Sequence, residues 1–508
     1  MCVKEKSDKL LAIMETIEVT PSKDEFWASL KYANKVKRVM VGSKEFIRHV
    51  TTKYVETYGS GIQSNIVNLT VDRFLERLEL LDTKELAYRV KVIDNEDGEM
   101  AVLYDLYNDQ SEYVEILPAG KKLKPRVMIK EGANKHFFVN DTALEQVTPE
   151  FRSIEDIFLL MRYLNLSDED CVKYVCSLVT SLYDRVNSPI AFFVGPHSTG
   201  KTHMIRYWND LVDPVKFMAQ DITAISHQDL AINFGNSFMS SLDNVTKISP
   251  ALSDLLCITS TGGKFGKRGH YENRKMIDHD VKCRLAISSI YDCVKRPDLA
   301  SRILYFDTNG RVLETSANDE DFNLNYKEDK PYIFGAVLML LSLALNIYPQ
   351  LKKKWKSNNR MSGFEAMTIS VALALDKKCK GDSDYVNVMK EGWRKNSIRQ
   401  ERIDSDEKAL AVSLAHFLED HGQNNYENFA KVFHSDWVSF LNSNTVWEGE
   451  EPAWISKLDR FKNSDQAFKV RLRDEGFKNE LANLGWQIIT ERESRSNTSF
   501  IRIKKTLS

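Results

Sequence analysis

The sequence predicts an α/β fold built around a parallel sheet, and three runs predict it. Ile190-Ala191-Phe192-Phe193-Val194 leads straight into Gly195-Pro196-His197-Ser198-Thr199-Gly200-Lys201-Thr202. An unbroken apolar run of that length is what a strand covered on both faces requires. Phe238-Met239-Ser240-Ser241-Leu242 is a second strand-like run ending in Asp243, and Arg284-Leu285-Ala286-Ile287 is a third, ending in Ser288-Ser289. The first run leads into a glycine loop, and the other two end in polar residues.

Composition bounds what that sheet serves. The chain has 508 residues, 43% apolar and 28% charged, which is ordinary for a globular protein and wrong for a disordered one. Its 70 Lys and Arg nearly balance 72 Asp and Glu, so it is no histone-like polycation, and any nucleic-acid contact must come from local patches. Seven scattered cysteines without a Cys-x-x-Cys pair argue against a disulfide scaffold or a structural zinc site and fit a reducing, cytoplasmic setting. Met1 to Lys9 is charged and opens no signal-peptide core. The apolar run Tyr332–Leu345, interrupted by Ser342, is too short to span a bilayer comfortably and reads as a buried helix with no membrane partner.

The elements follow in order. Residues 1–85 carry apolar and charged positions at helical spacing and are expected to form an N-terminal helical region. A β-rich module over 86–150 follows from Tyr88–Val92 and Met100–Tyr104, which flank the turn residues Asn95-Glu96-Asp97-Gly98. The core is expected over 151–315. Within it, Ile154–Tyr183 reads as two helices, with a new N-cap in Leu166-Ser167-Asp168-Glu169. Helices at Tyr332–Tyr348 and Gly363–Leu375 form a lid over 316–403. The last region, 404–508, begins with Asp404 as a helix N-cap. It ends as helix (465–484), strand (486–490), polar turn (493–497) and strand (499–504), the order of a winged helix.

Gly195 to Thr202 satisfies G-x-x-x-x-G-K-[ST] behind a strand and before a helix, the pattern of a phosphate-binding loop. Its glycines let backbone N–H groups approach phosphates at a helix N-terminus. Lys201 would reach the β- and γ-phosphates of ATP, while Thr202 and Asp243 would hold Mg²⁺. Asn244 follows where a glutamate base is common; an amide orients water but cannot take a proton. Ser288 sits where a γ-phosphate sensor belongs. In Lys295-Arg296-Pro297-Asp298-Leu299-Ala300-Ser301-Arg302, Arg302 is the preferred finger onto a neighbouring subunit's nucleotide and Arg296 the second choice; a surface ion pair is the competing reading for each.

The order of these stretches resembles the AAA+ ATPases related to superfamily-three helicases. More narrowly, it is similar to helicase-like ATP-binding proteins of phages and mobile genetic elements. The likeness spans roughly residues 85–400 and rests on Leu242-Asp243-Asn244-Val245, Leu252–Cys257, Thr261-Gly262-Gly263, Arg296-Pro297-Asp298-Leu299 and Arg360–Phe364, with Leu86–Val90 and Tyr104-Asp105-Leu106 upstream. It implies a P-loop, AAA+-type ATPase core with a helical lid, assembled as a homo-hexamer. It also implies a lid arginine, Arg360, near the phosphates. Ser288 departs from the family's usual asparagine sensor.

Gly262–Lys275 holds five Lys or Arg and two aromatic residues, and by the same resemblance it is the hairpin that enters the ring channel. Lys264, Lys267, Arg268 and His270 are its candidate contacts to single-stranded DNA. Residues 456–508 carry twelve Lys or Arg against seven Asp or Glu, which suits duplex docking through Lys469, Arg471, Arg473 and Arg495. The expected function is an ATP-dependent DNA helicase or replication initiator, with replication proteins as further partners. The alternative is an ATP-regulated oligomeric switch or defence ATPase acting on a protein partner without unwinding.

Overall fold

Alternating β-branched and charged residues, such as Lys35-Val36-Lys37-Arg38-Val39, suit a sheet edge as well as a helix face, and near the N-terminus the sheet wins. The computed structural model describes residues 3–22, 25–32, 35–81, 86–95, 98–138, 142–216, 225–268, 276–308, 319–357, 359–379, 384–420, 425–426, 435–437, 439, 465–492 and 499–505. They form two compact units, Met1–Cys293 with Arg302–Arg394, and Val294–Ser301 with Lys395–Ser508.

In the first unit, helix Val3–Met14 precedes an antiparallel sheet of Glu18–Ser22, Glu25–Tyr32 and Lys35–Met40, and then helices Lys44–Tyr58 and Ser64–Leu78. The expectation of a wholly helical region over 1–85 is therefore corrected: three strands, carrying Val19, Thr20, Trp27 and Val39, occupy its middle. Ser43 caps the second helix by accepting from the Phe46 N–H, and Gly59, at φ 63°, ends it. Leu10, Phe46, Val50, Tyr54 and Phe74 close a local core.

Four antiparallel strands follow, Val90–Asp94, Met100–Asp105, Glu112–Leu117 and Arg126–Glu131, paired in sequence order. One face (Val102, Tyr104, Val114, Ile116) joins the main core, and the other (Ala101, Leu103, Tyr113) covers Ala133 and Phe137. The main core also takes in Phe193 and Phe306 of the parallel sheet, Leu338–Leu345, and Ile369 and Trp393. The expected β-rich, core and lid segments thus share one hydrophobic interior up to Arg394.

The parallel sheet has the order Ile303–Asp307, Ile190–Val194, Arg284–Ser289, Met239–Leu242. Val194 pairs with both Ser289 and Asp307, and Leu242 with Ile287, so the C-terminal ends lie along one edge. Helix Lys201–Val212 packs on this sheet. Helix Asp168–Ser181, capped by Ser167, sets Tyr174 against Phe193, Trp208 and Phe306.

Asn323–Lys354, within helix Asp319–Lys354, is apolar and long enough to cross a membrane, yet Ile333–Leu345 lies inside the core except for the slightly exposed Met339. Ser342, the polar break in this run, donates from Oγ to Leu117 O (2.6 Å) and accepts from Arg126 N (2.9 Å). A Cβ at Gly335 would collide with the Glu150 backbone. Helix Ser362–Lys378 packs beside it.

In the second unit, Leu410, Leu414, Phe417 and Leu418 of helix Tyr385–Asp420 enclose a core with Trp437, Phe468, Phe477, Leu481, Trp486 and Ile503; Trp437 and Phe468 stack at 4.6 Å. Strands Asn425–Tyr426, Ser499–Lys505 and Trp486–Arg492 pair in that order. Three expectations change here. Asp404 lies inside the continuous helix rather than at its start, and the unit boundary falls at Arg394–Lys395. The single helix expected over 465–484 is two, Asp465–Arg471 and Glu475–Asn483, because Asp474 accepts from the Phe477 N–H and starts a new one.

Candidate nucleotide site

The loop from Gly195 to Gly200 joins the end of strand Ile190–Val194 to the start of helix Lys201–Val212. Gly200, at φ 77°, lies in the left-handed region with open space where a Cβ would stand, and Ser198 shares that region at φ 62°. Gly195 is buried, whereas Pro196, His197 and Ser198 are exposed at the crest. Three residues outside the motif hold the loop. Asn165 donates from Nδ2 to Thr199 O (3.0 Å), the Thr308 and Thr199 hydroxyls lie 2.6 Å apart, and Ser289 O accepts from Gly195 N (3.3 Å). Asn165 and Thr308 went unseen in the sequence because their role depends on strand order, and no local pattern marks it.

Lys201 is 7% exposed, and its ammonium donates to Gly195 O at 2.7 Å and to Pro196 O. Burial lowers its pKa from the ordinary lysine value, and Asp243 opposes the shift. Thr202 Oγ1 lies 3.0 Å from Asp243 Oδ2 and 3.2 Å from Oδ1. A hydroxyl and a carboxylate side by side at a helix N-terminus suit a magnesium ion that takes its other ligands from phosphate and water. Among the described residues no cluster of three or more His, Cys, Asp or Glu could hold a metal by itself.

The central strand Arg284–Ser289 runs between the strand that leads into the loop and the strand that ends at Asp243. Ser288 donates from Oγ to Asp243 Oδ1 and accepts from Asn244 N at 2.9 Å. Asn244 is exposed and left-handed, at φ 54°. Lys201, Thr202, Asp243, Asn244 and Ser288 are thus brought together.

Other expected residues fall elsewhere. Arg302 is 5% exposed, and its carbonyl accepts from Ile190 N at 2.8 Å. Its side chain is therefore enclosed where a strand begins. Arg296 is half-buried and belongs to the segment grouped with the second unit. Arg360 is exposed in the turn before helix Ser362–Lys378. Lys264 is exposed, and Lys267 and Arg268 lie on a strand, Gly263–Arg268, paired antiparallel with Met276–Val281; His270 lies outside the described residues. In the second unit Lys469 is half-buried, Arg473 is exposed, and Arg471 is largely enclosed and lies 3.9 Å from Asp474. Arg495 lies outside the described residues.

Residues 157–376 match the family model described as actinomycete integrative conjugative element replication protein. That stretch holds the loop, Asp243, Ser288 and helix Asp319–Lys354, and the match bears out the resemblance to proteins of mobile elements. Among solved structures, the chain is similar to SCCmec type IV Cch, described as an active helicase, at 12% identity over 96% of this chain and 93% of that one (TM-score 0.44). It is similar to the NrS-1 C-terminal region at 12% identity over 98% of each chain (TM-score 0.40), and to a JCV helicase at 15% identity over 44% and 66% (TM-score 0.24). No curated protein matches the chain.

Proposed function

We propose that the protein is an ATP-driven DNA helicase or replication-initiator ATPase of a mobile element. The observation that carries this reading is Thr202 Oγ1 at 3.0 Å from the Asp243 carboxylate, one residue beyond a buried lysine at the foot of a glycine loop. In this reading the loop's N–H groups and Lys201 cradle the β- and γ-phosphates of ATP. Thr202 and Asp243 hold the Mg²⁺, which would neutralise charge as the terminal phosphoryl is transferred to water. Ser288 reports that event to the central strand, whose other end runs through Lys282 and Cys283 into strand Met276–Val281 of the hairpin. The hairpin then moves single-stranded DNA through Lys264, Lys267 and Arg268. Subunits form a hexameric ring in which Arg296, the more exposed of the two candidate arginines, completes a neighbour's site. The C-terminal unit acts as a winged helix on duplex DNA through Lys469 and Arg473.

Phosphate release with and without single-stranded DNA tests this. Wild type is expected to turn over and to be stimulated by DNA. Lys201→Ala should reduce turnover on the order of a hundredfold or more. Lys267→Glu with Arg268→Glu should keep basal turnover and lose the stimulation. DNA-independent turnover with nucleotide-driven oligomerisation would instead favour the switch reading, which the exposed amide of Asn244 supports.

A further inference from the structure

Far from the loop, at the opposite end of the same helix, Arg89 is buried with its Nε 2.8 Å from Asp213 Oδ1, both side chains being 3% exposed or less. Arg89 comes from the β-rich segment and adopts φ 53°, a conformation unfavourable for a side chain of its size. Its remaining donors reach Asp105 O (3.1 Å), Leu144 O (2.9 Å) and Pro214 O (2.9 Å). Asp213 Oδ2, the other carboxylate oxygen, accepts from Met239 N at 3.1 Å.

Asp213 caps the C-terminus of helix Lys201–Val212, and Met239 begins the strand Met239–Leu242 that leads into Asp243. Helix and strand are laced at three levels: Thr202 to Asp243 at the top, Asn209 Nδ2 to Ser241 Oγ (2.5 Å) in the middle, and Asp213 to Met239 at the base. Arg89 fixes the base rung from outside.

Thr202 and Asp213 are separated by about 16 Å of helix, so a pivot of ~5° at the base would displace the Thr202 hydroxyl by ~1.4 Å. Misplacement on that scale is enough to cost about a hundredfold in positioned chemistry. A buried ion pair adds little net stability over an apolar pair of the same shape; what it adds here is one fixed geometry.

We propose that Arg89 and Asp213 are positioning residues for the magnesium-holding pair, setting the spacing of Thr202 and Asp243 from the far end of the helix. The proposal rests on the nucleotide reading above and assigns a role to two residues outside the motifs that define it. It also ties the site to the N-terminal segment, because Arg38 Nη2 lies 2.8 Å from the carboxylate of Asp105, the residue whose carbonyl binds Arg89.

The test is equilibrium binding of a fluorescent, non-hydrolysable ATP analogue to the full chain, with Mg²⁺ and with EDTA. Arg89→Lys, Asp213→Asn and Asn209→Ala are compared with Ile369→Ala, which loosens the same core from helix Ser362–Lys378. The ladder variants should bind the analogue in EDTA within twofold of wild type, since Lys201 and the loop are intact. They should lose about tenfold of the affinity that Mg²⁺ adds, with Asn209→Ala losing least. Three variants are read alike, so the result does not depend on any one of them folding. Unchanged Mg²⁺ enhancement in the folded variants overturns the proposal, as does an equal loss in Ile369→Ala. Wild type that binds no analogue, or binds it no better than Lys201→Ala, overturns the nucleotide reading as well.

Discussion

Ser288 Oγ donates to the Asp243 carboxylate while accepting from the Asn244 N–H, so two adjacent parallel strands end in one hydrogen-bonded group. A serine reaches the neighbouring carboxylate directly because the two strands pair in register up to Ile287 and Leu242. The same arrangement leaves Asn244 exposed beside that carboxylate.

Asn244→Asp tests that position. Aspartate tolerates the left-handed φ of 54° better than a longer side chain would. It would supply a carboxylate able to take a proton, and turnover is expected to rise on the order of tenfold. Steady-state phosphate release measures it. A value equal to wild type would place water activation elsewhere.

Alkaline pH tests Lys201. The charged ammonium is the form that binds phosphate, and burial holds its pKa below 10.5. Nucleotide affinity should therefore fall as pH rises through that lowered pKa, starting earlier than for an exposed lysine. Lys201→Arg should bind less well at pH 7 but keep a flat profile, because guanidinium stays charged. Titration of the analogue from pH 7 to 10 distinguishes the two.

Gly335→Ala tests the packing of the apolar helix. Its Cβ would meet the Glu150 backbone, which cannot swing away as a side chain end would. The cost is expected to be about 3 kcal/mol or more, seen as a lower denaturant midpoint. A variant as stable as wild type would mean that the segment around Glu150 gives way.

Each part of the candidate site is legible because it is local in sequence. The glycine loop must follow a buried strand, so Ile190–Val194 and Gly195–Thr202 were read together, and Asp243 and Ser288 each close an apolar run. The N-terminal strands are not legible, because Glu18–Met40 alternates in a way that helix and sheet share over short stretches. The break at Asp474 was missed because its cap is a single hydrogen bond within an otherwise helical composition.

By itself the sequence determined the strand–loop–helix, the apolar runs that close on Asp243 and Ser288, and the buried character of Tyr332–Leu345. Each depends on residues a few positions apart, where backbone geometry leaves little choice. Only the tertiary structure decided which strand lies in the middle, that Asn165 and Thr308 hold the loop, that Arg302 turns inward, and that Arg89 meets Asp213 across 124 residues. Those contacts come from packing distant segments into one core, and no periodicity or spacing along the chain encodes which charged residue will face which.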